Sequence, residues 1–280
     1  MDISPISLLI GYSLAIAIFS LVGGLLPGWI RMTHTRTQLV MSLVSGLMIG
    51  VAFYHLLPHS VIAYGSPQAI DRAVWWLMIG LITMLLLLRM FHFHQHDFSD
   101  EEHHHHHDLP ESGQAHRFSW LGIALGLGLH TLIDGVALGA VLQSEAGQAL
   151  GGLLGLGVFL AILLHKPLDA MSITTVMEAG GWSLPARRLA NAAFALMCPL
   201  GALLFYFGVD LLGGNRDMVV AAALAFSAGA FVCIALSDLL PEVHFHSHDR
   251  GKLTLAFLAG IGLAYAIGGL EPATAHLHTG

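Results

Sequence analysis

The chain has 280 residues, of which 55% are hydrophobic and only 10% are charged, and its mean hydropathy is +0.73. Soluble domains carry about 25% charged residues, so this composition excludes an ordinary soluble domain and indicates a protein that has lipid as its solvent. The formal net charge is −7 and no basic patch is present, which argues against nucleic-acid binding. Cys198 and Cys233 both lie in apolar stretches, which favours buried free thiols over a disulfide.

A helix that crosses the bilayer needs about 20 mostly apolar residues. Eight stretches meet this requirement, and they predict an all-α membrane protein with a single transmembrane transporter domain over residues 1–280. The predicted spans are, in chain order, Ile6–Pro27, Leu39–Pro58, Ala73–Met90, Phe118–Leu142, Leu150–Met177, Leu189–Leu212, Met218–Leu240 and Leu253–Leu270.

The basic residues predict how the chain is oriented, because short cytoplasmic loops carry an excess of Lys and Arg. If the loops alternate between the two sides, one side holds Arg31, Arg36, Arg89, Arg117, Arg187, Arg188, Arg250 and Lys252. The other side holds only Arg72 and Arg216. We therefore expect a multi-pass protein of the cell membrane (inner or plasma membrane), with both termini outside.

The segment 92–117, between the third and fourth spans, is rich in histidine and acidic residues and would face the cytoplasm. Such a tract cannot bury a core, so we expect a disordered loop. It offers a weak, exchangeable metal site, although a solvated linker would look similar, and whether the tract regulates or merely buffers metal stays open. The candidate loop ligands are His92, His94, His96, His103, His104, His105, His106 and His107.

Two short elements of the sequence occur twice. Leu129–Asp134 in the fourth span is echoed by Leu164–Asp169 in the fifth, and each contains the pattern His-x-x-x-Asp. His55–His59 ends the second span with His-Leu-Leu-Pro-His, and Asp238–Glu242 ends the seventh with Asp-Leu-Leu-Pro-Glu. With the predicted orientation, helices one to three would repeat upside down as six to eight around the central pair, a 3+2+3 inverted-repeat bundle of the kind that many transporters use.

The two His-x-x-x-Asp elements predict a metal site inside the membrane. Ionisable groups within a span are costly unless they are paired, hydrated or bound to an ion. Residues four apart share a helix face, so His130 with Asp134, and His165 with Asp169, each present an imidazole and a carboxylate together. This ligand set suits Zn²⁺ and accommodates Fe²⁺, Mn²⁺ or Cd²⁺. The alternative is a buried polar network in which Lys166 is the counter-ion.

Further residues are weaker candidates. Met48 precedes His55 by one to two helical turns and could add a thioether ligand, although core packing explains it better. The ends of the second and seventh spans carry polar residues that could hand metal in and out, or could simply be interfacial. These relay candidates are His55, His59, Asp238, Glu242, His244, His246 and His248.

At these residues the sequence resembles the ZIP (ZRT/IRT-like) family of divalent metal transporters. The resemblance extends over the whole chain and is carried by His130-Thr131-x-x-Asp134-Gly135, by His165-Lys166-Pro-x-Asp169, and by Leu-Leu-Pro-Glu at Leu239–Glu242. It implies uptake of zinc or a related metal toward the cytoplasm, with no enzymatic activity. It also implies an elevator-like movement of a bundle formed by spans one, four, five and six.

The sequence departs from the family pattern at the site itself. Many members have His-Asn in the fourth span and His-Glu in the fifth, and can hold two metals. Here Thr131 replaces the Asn and Lys166 replaces the Glu. Because a protonated ammonium cannot ligate a metal, we predict a single metal and a salt bridge from Lys166 to Asp134 or Asp169. Lys166 would then substitute for the second cation.

Two other classes of protein use similar residues. A cation-diffusion-type exporter has paired His/Asp motifs but six spans and a large C-terminal domain, whereas only Glu271–Gly280 follows the last predicted span. An intramembrane zinc metallohydrolase would need a general base, and no Glu lies near the site within the fourth and fifth spans.

For a metal transporter we expect the partners to be divalent metal ions and the lipid bilayer. The sequence leaves open whether the chain forms a homodimer.

Overall fold

A computed structural model describes residues 4–26, 34–91, 113–146, 153–245 and 250–269, and all regular structure within them is helical. The helices are α1 (Pro5–Leu25), α2 (His34–Val51), α3 (Leu57–Tyr64), α4 (Ala69–Phe91), α5 (Gly113–Glu145), α6 (Leu156–Ala179), α7 (Leu184–Gly208), α8 (Arg216–Phe245) and α9 (Arg250–Gly268). A π-helical turn, Ala52–Leu56, joins α2 to α3, and a 3₁₀ segment, Val209–Asn215, joins α7 to α8.

Within the described ranges, seven helical segments are long and apolar enough to cross a membrane. One of them, Leu184–Ser237, has 54 residues and contains α7 and most of α8. A straight helix of that length would extend about 80 Å, more than twice the thickness of a bilayer core. The backbone breaks at Gly213, where φ is 54° and ψ is −121°. The all-helical, multi-pass prediction is thus confirmed.

The second predicted span continues beyond Pro58, where the sequence predicts its end. Proline has no N–H to donate to the preceding turn, and this normally ends a helix. Here the π-helical turn Ala52–Leu56 ends two residues before Pro58 and widens the backbone, so that the helix continues to Tyr64. As a result His55 and His59 lie inside a long helical segment and not at its end.

Helix ends elsewhere also differ from the predicted boundaries. Helix α8 runs through Pro241 to Phe245, beyond the predicted end at Leu240. Helix α5 begins at Gly113, so residues 113–117 are helical and do not belong to a loop, which corrects the predicted extent of the His-rich segment. The rest of that segment, including all of its loop ligands, lies outside the described residues.

The helices pack in two groups. Helices α1, α5, α6 and α7 contact one another, chiefly through the pairs α5–α7, α1–α6 and α1–α7. Helices α2, α3, α4, α8 and α9 form the second group, chiefly through α2–α9, α4–α8 and α3–α8. Fewer contacts join the two groups, and α5–α8 is the main one among them.

Two helix pairs have matching close contacts at glycine. A Cβ at Gly46 of α2 would meet the carbonyl of Phe257, and one at Gly260 of α9 would meet the carbonyl of Leu43. In the same way, a Cβ at Gly229 of α8 would meet the carbonyl of Leu77, and one at Gly80 of α4 would meet the carbonyl of Phe226. The α8 positions follow the α2 positions by 183 residues, which is also the separation of Asp238 from His55. The two interfaces therefore repeat the same packing in the same register.

Candidate metal centre

The two His-x-x-x-Asp elements meet at the contact between α5 and α6. Oδ2 of Asp134 lies 3.4 Å from Nε2 of His130 and 3.3 Å from Nε2 of His165. Oδ2 of Asp169 lies 3.6 Å and 3.8 Å from the same two nitrogens. His130, Asp134 and His165 are buried, and the Asp169 side chain is 19% exposed. The two imidazole rings stack with their centroids 5.5 Å apart.

These separations suit metal ligands. Zinc binds imidazole nitrogen and carboxylate oxygen at about 2.0–2.2 Å in a tetrahedral arrangement, which separates neighbouring ligand atoms by roughly 3.3 Å. Ligand atoms of His130, Asp134 and His165 all lie within 4.8 Å of one another. A divalent ion could therefore be held between α5 and α6 with little movement of the backbone.

Hydrogen bonds orient one imidazole and leave the other available. Nδ1 of His165 donates to the carbonyl of Ala161, 2.7 Å away, so a neutral His165 presents the lone pair of Nε2 to the carboxylates. Neither ring nitrogen of His130 makes a hydrogen bond within the described part of the chain, and the same is true of Oδ1 of Asp134. Buried polar atoms are normally satisfied, so these three atoms point to a ligand.

Lys166 is buried beside the candidate ligands, where its ammonium contacts both carboxylates. Its Nζ lies 2.5 Å from Oδ2 of Asp134 and 2.9 Å from Oδ2 of Asp169. It also donates to Oγ1 of Thr131 at 3.0 Å and lies 5.8 Å from the ring centroid of Phe194. The three hydrogens of the ammonium thus match three acceptors. The structure contains the predicted salt bridge in both of its alternative forms.

The close approach of α5 to α7 places the site within the first group of helices. Gly135, next to Asp134, packs against the carbonyl of Cys198, and Gly201 of α7 packs against the carbonyl of Leu132. A side chain at either glycine would push the helices apart. On another side of the site, Phe231 of α8 lies edge-on to His165, with ring centroids 6.5 Å apart. Cys198 and Cys233 are free, buried thiols, as the sequence predicts.

The structure describes the surroundings of three other sequence-predicted residues. Met48 is buried in the main apolar core. His55 is buried, and its Nε2 lies 2.8 Å from the carbonyl of Ala264. His59 is buried too, and its Nε2 lies 3.1 Å from Oε1 of Glu145. The side chains of Asp238, Glu242 and His244 are not among those described, and His246 and His248 lie outside the described residues.

Sequence reasoning missed two contributions. In the sequence, Thr131 is only a departure from the expected family pattern, and the structure reveals that its hydroxyl accepts a hydrogen bond from Lys166. Glu145 is the last residue of α5 and follows the predicted fourth span, where a solvated carboxylate is the ordinary expectation. It is instead 1% exposed. The one sequence signal for its burial is that Glu145 is an ionisable residue within one helical turn of an apolar span.

Known proteins resemble this chain over most of its length. A family profile described as "ZIP Zinc transporter" matches residues 89–268. Zinc transporter ZIP9-B of Xenopus laevis is 29% identical over 89% of this chain and 90% of its own length. Zinc transporter ZIP9 of Xenopus tropicalis has the same identity and coverage, and zinc transporter foi of Drosophila melanogaster is 27% identical over 53% of this chain and 20% of its own length. The chain is therefore a multi-pass membrane protein of the ZIP zinc transporter family, whose named members are transporters and not enzymes.

Proposed function

We propose that this protein takes up a divalent transition metal, with Zn²⁺ as the main substrate, toward the cytoplasm through a mononuclear site formed by His130, Asp134, His165 and Asp169. The observation that carries the proposal is the buried cluster in which both imidazoles face the same carboxylate oxygen. Both ring nitrogens of His130 lack hydrogen bonds within the described ranges, which leaves a nitrogen ligand ready for the transported ion.

Charge favours one metal at this site. Two carboxylates and one ammonium give a net charge of −1 when the imidazoles are neutral. One divalent ion changes this charge to +1, so neither the loaded nor the empty site has a large excess charge in the membrane. A second divalent ion would have to lie beside the ammonium of Lys166. The lysine therefore acts as a permanent substitute for a second cation.

The packing supports the expected family architecture for this chain. Eight spans in a 3+2+3 inverted repeat would make α2–α9 equivalent to α8–α4, and the glycine contacts of these pairs agree at matching positions. They would also make α5–α7 equivalent to α6–α1, and both are main contacts of the first helix group. That group, α1, α5, α6 and α7, has fewer contacts with the remaining helices, as an element that slides past a scaffold would require.

Orientation of the chain rests on the distribution of basic residues, which places both termini outside. The histidines of residues 92–107 would then face the cytoplasm and bind, with low affinity, the metal that the central site releases. The candidates for a relay remain those that the sequence offers at the ends of the second and seventh predicted spans, namely His55, His59, Asp238, Glu242, His244, His246 and His248.

A flux assay tests the proposed function directly. Purified protein in proteoliposomes should accumulate Zn²⁺ with time, and His165→Ala or Asp134→Ala should reduce uptake to the background of empty liposomes, because each removes a proposed ligand. Glu178→Gln is a matched control, because it removes a carboxylate that is exposed near the end of α6, pairs with Arg187 and lies outside the proposed site. The same vesicles tested with competing Fe²⁺, Mn²⁺ and Cd²⁺ would rank the metals.

Two results would contradict the proposal. Metal binding without accumulation would identify a receptor, and full uptake by both alanine variants would remove the cluster from the pathway. A separate experiment tests whether the site is mononuclear. It measures how many fewer metal ions bind per protein when His130 and His165 are both replaced by Ala. The expected number is one.

A further inference from the structure

A second buried imidazole–carboxylate pair lies at the last residue of α5. Nε2 of His59 in α3 is 3.1 Å from Oε1 of Glu145, and the two side chains are 5% and 1% exposed. Oε2 of Glu145 accepts a hydrogen bond of 2.9 Å from the backbone N–H of Gly155, which fixes the carboxylate. Oε1 accepts no hydrogen bond of acceptable geometry from the described residues. A buried carboxylate oxygen of this kind calls for a cation.

The ring orientation of His59 sharpens this requirement. Nδ1 of His59 lies 2.6 Å from the carbonyl of His55, and since a carbonyl can only accept, Nδ1 carries a hydrogen. A neutral His59 therefore presents the lone pair of Nε2 to a negatively charged oxygen. Two acceptors at 3.1 Å repel each other unless a proton or a metal ion lies between them.

The same arrangement occurs in the central site. There, Nδ1 of His165 donates to the carbonyl four residues earlier, and Nε2 lies 3.3 Å from Oδ2 of Asp134. A ligating histidine commonly donates its second ring N–H to a backbone carbonyl, which orients the lone pair toward the metal. His59 and Glu145 repeat this pattern with their ligand atoms at the spacing of adjacent tetrahedral ligands.

We propose that His59 and Glu145 form a second, weaker binding site for a divalent transition metal, which the transported ion occupies in transit. The proposal rests on the proposed function, because it names a further site on the same route. With two protein ligands in place of four, the pair should bind metal less tightly than the central site and release it readily.

The position of the pair agrees with a transit site. Glu145 follows Asp134 by 11 residues on the same helix, a separation of about 16 Å along the axis. His59 belongs to the second helix group and Glu145 to the first, so the pair spans the contact between the groups. A sliding movement of α5 would separate the two ligands and release the ion.

Equilibrium Cd²⁺ binding to the full-length protein in detergent tests this site. The background carries serine in place of the histidines at residues 92–107 and alanine in place of His130 and His165, which removes competing ligands. This background variant should still bind one equivalent of Cd²⁺. Its Kd should be at least about tenfold higher than the Kd for the Cd²⁺ ion bound tightly by a protein whose central site is intact. Adding Glu145→Gln, which can still accept the bond from Gly155, or His59→Gln should abolish the weak equivalent. Adding Glu178→Gln should not.

Uptake by the otherwise unchanged protein provides a second measurement. Glu145→Gln should raise the KM for Zn²⁺ by roughly fivefold and change the rate at saturating Zn²⁺ by less than about twofold, as expected for a ligand that acts before the main site.

The outcomes separate this inference from the proposed function. If the tight equivalent is absent when the central site is intact, the proposed function fails. If it is present but the weak equivalent is missing from the background protein, the pair holds a proton only and this inference is wrong. It is also wrong if the weak equivalent survives both glutamine substitutions.

Discussion

The two imidazole–carboxylate sites of this protein share one local geometry and differ in the charged groups that surround it. In both, a histidine donates through Nδ1 to the carbonyl four residues earlier and presents Nε2 to a buried carboxylate. The central site adds a second histidine, a second carboxylate and Lys166.

We infer that the residue at position 166, and not the shared donor geometry, sets how many ions the central site can hold. Without Lys166 the two central carboxylates would have a charge of −2, which one divalent ion balances. With Lys166 present the empty site has a charge of −1, and one bound divalent ion changes this charge to +1. The outer pair has a single carboxylate, so one weakly bound ion already leaves an excess positive charge there.

Replacing the lysine should have the largest effect on this comparison. Lys166→Glu changes the central charge from −1 to −3 and adds a ligand, so the protein should bind one more equivalent of metal at the centre. The measurement is metal per protein after dialysis, with the histidines of residues 92–107 replaced by serine and Glu145→Gln present throughout. Lys166→Met is the matched control, because it removes the positive charge without adding a ligand.

The control should still bind one central equivalent, more tightly than wild type, because the competing ammonium is gone. An unchanged stoichiometry in Lys166→Glu would show that the space between α5 and α6, and not the charge of Lys166, limits the number of ions.

Much of this arrangement could be predicted from sequence because it depends on local spacing. Four-residue spacing places His130 with Asp134 on one helix face without knowledge of the fold. Membrane spans follow from the length of the apolar stretches alone. The salt bridge of Lys166 can be predicted because an unpaired charge inside the membrane is costly, and the neighbouring spans offer few carboxylates with which the lysine could pair.

What could not be predicted depends on contacts between distant segments. Glu145 and His59 are 86 residues apart, and nothing in their local sequence distinguishes a buried pair from two solvated ends. The continuation of the helix past Pro58 depends on a π-helical turn, which has no reliable local signature. Because that turn keeps His59 inside the helix, missing it also hid the second site.

Acidification should affect the two sites differently. Protons compete with metal for imidazole and carboxylate, so uptake should fall several-fold between about pH 7.5 and about pH 5.5. At Zn²⁺ concentrations below KM, Glu145→Gln should have a shallower pH dependence than wild type, because the outer pair no longer binds metal for which protons could compete. At saturating Zn²⁺ the two proteins should respond alike. Identical pH profiles at both concentrations would exclude the outer pair from uptake.

The smallest expected effect comes from the hydroxyl that holds Lys166 in place. Thr131→Val preserves the shape of the side chain but leaves one N–H of a buried ammonium without an acceptor, at a cost of about 1–3 kcal/mol. Thermal unfolding in detergent should therefore shift downward by a few degrees, while Thr131→Ser, which keeps the hydroxyl, should stay close to wild type. The central stoichiometry should remain one in both variants, because the charge of the site is unchanged. If Thr131→Val were as stable as wild type, the third hydrogen of Lys166 would have another acceptor, and the hydroxyl of Thr131 would not hold the ammonium in place.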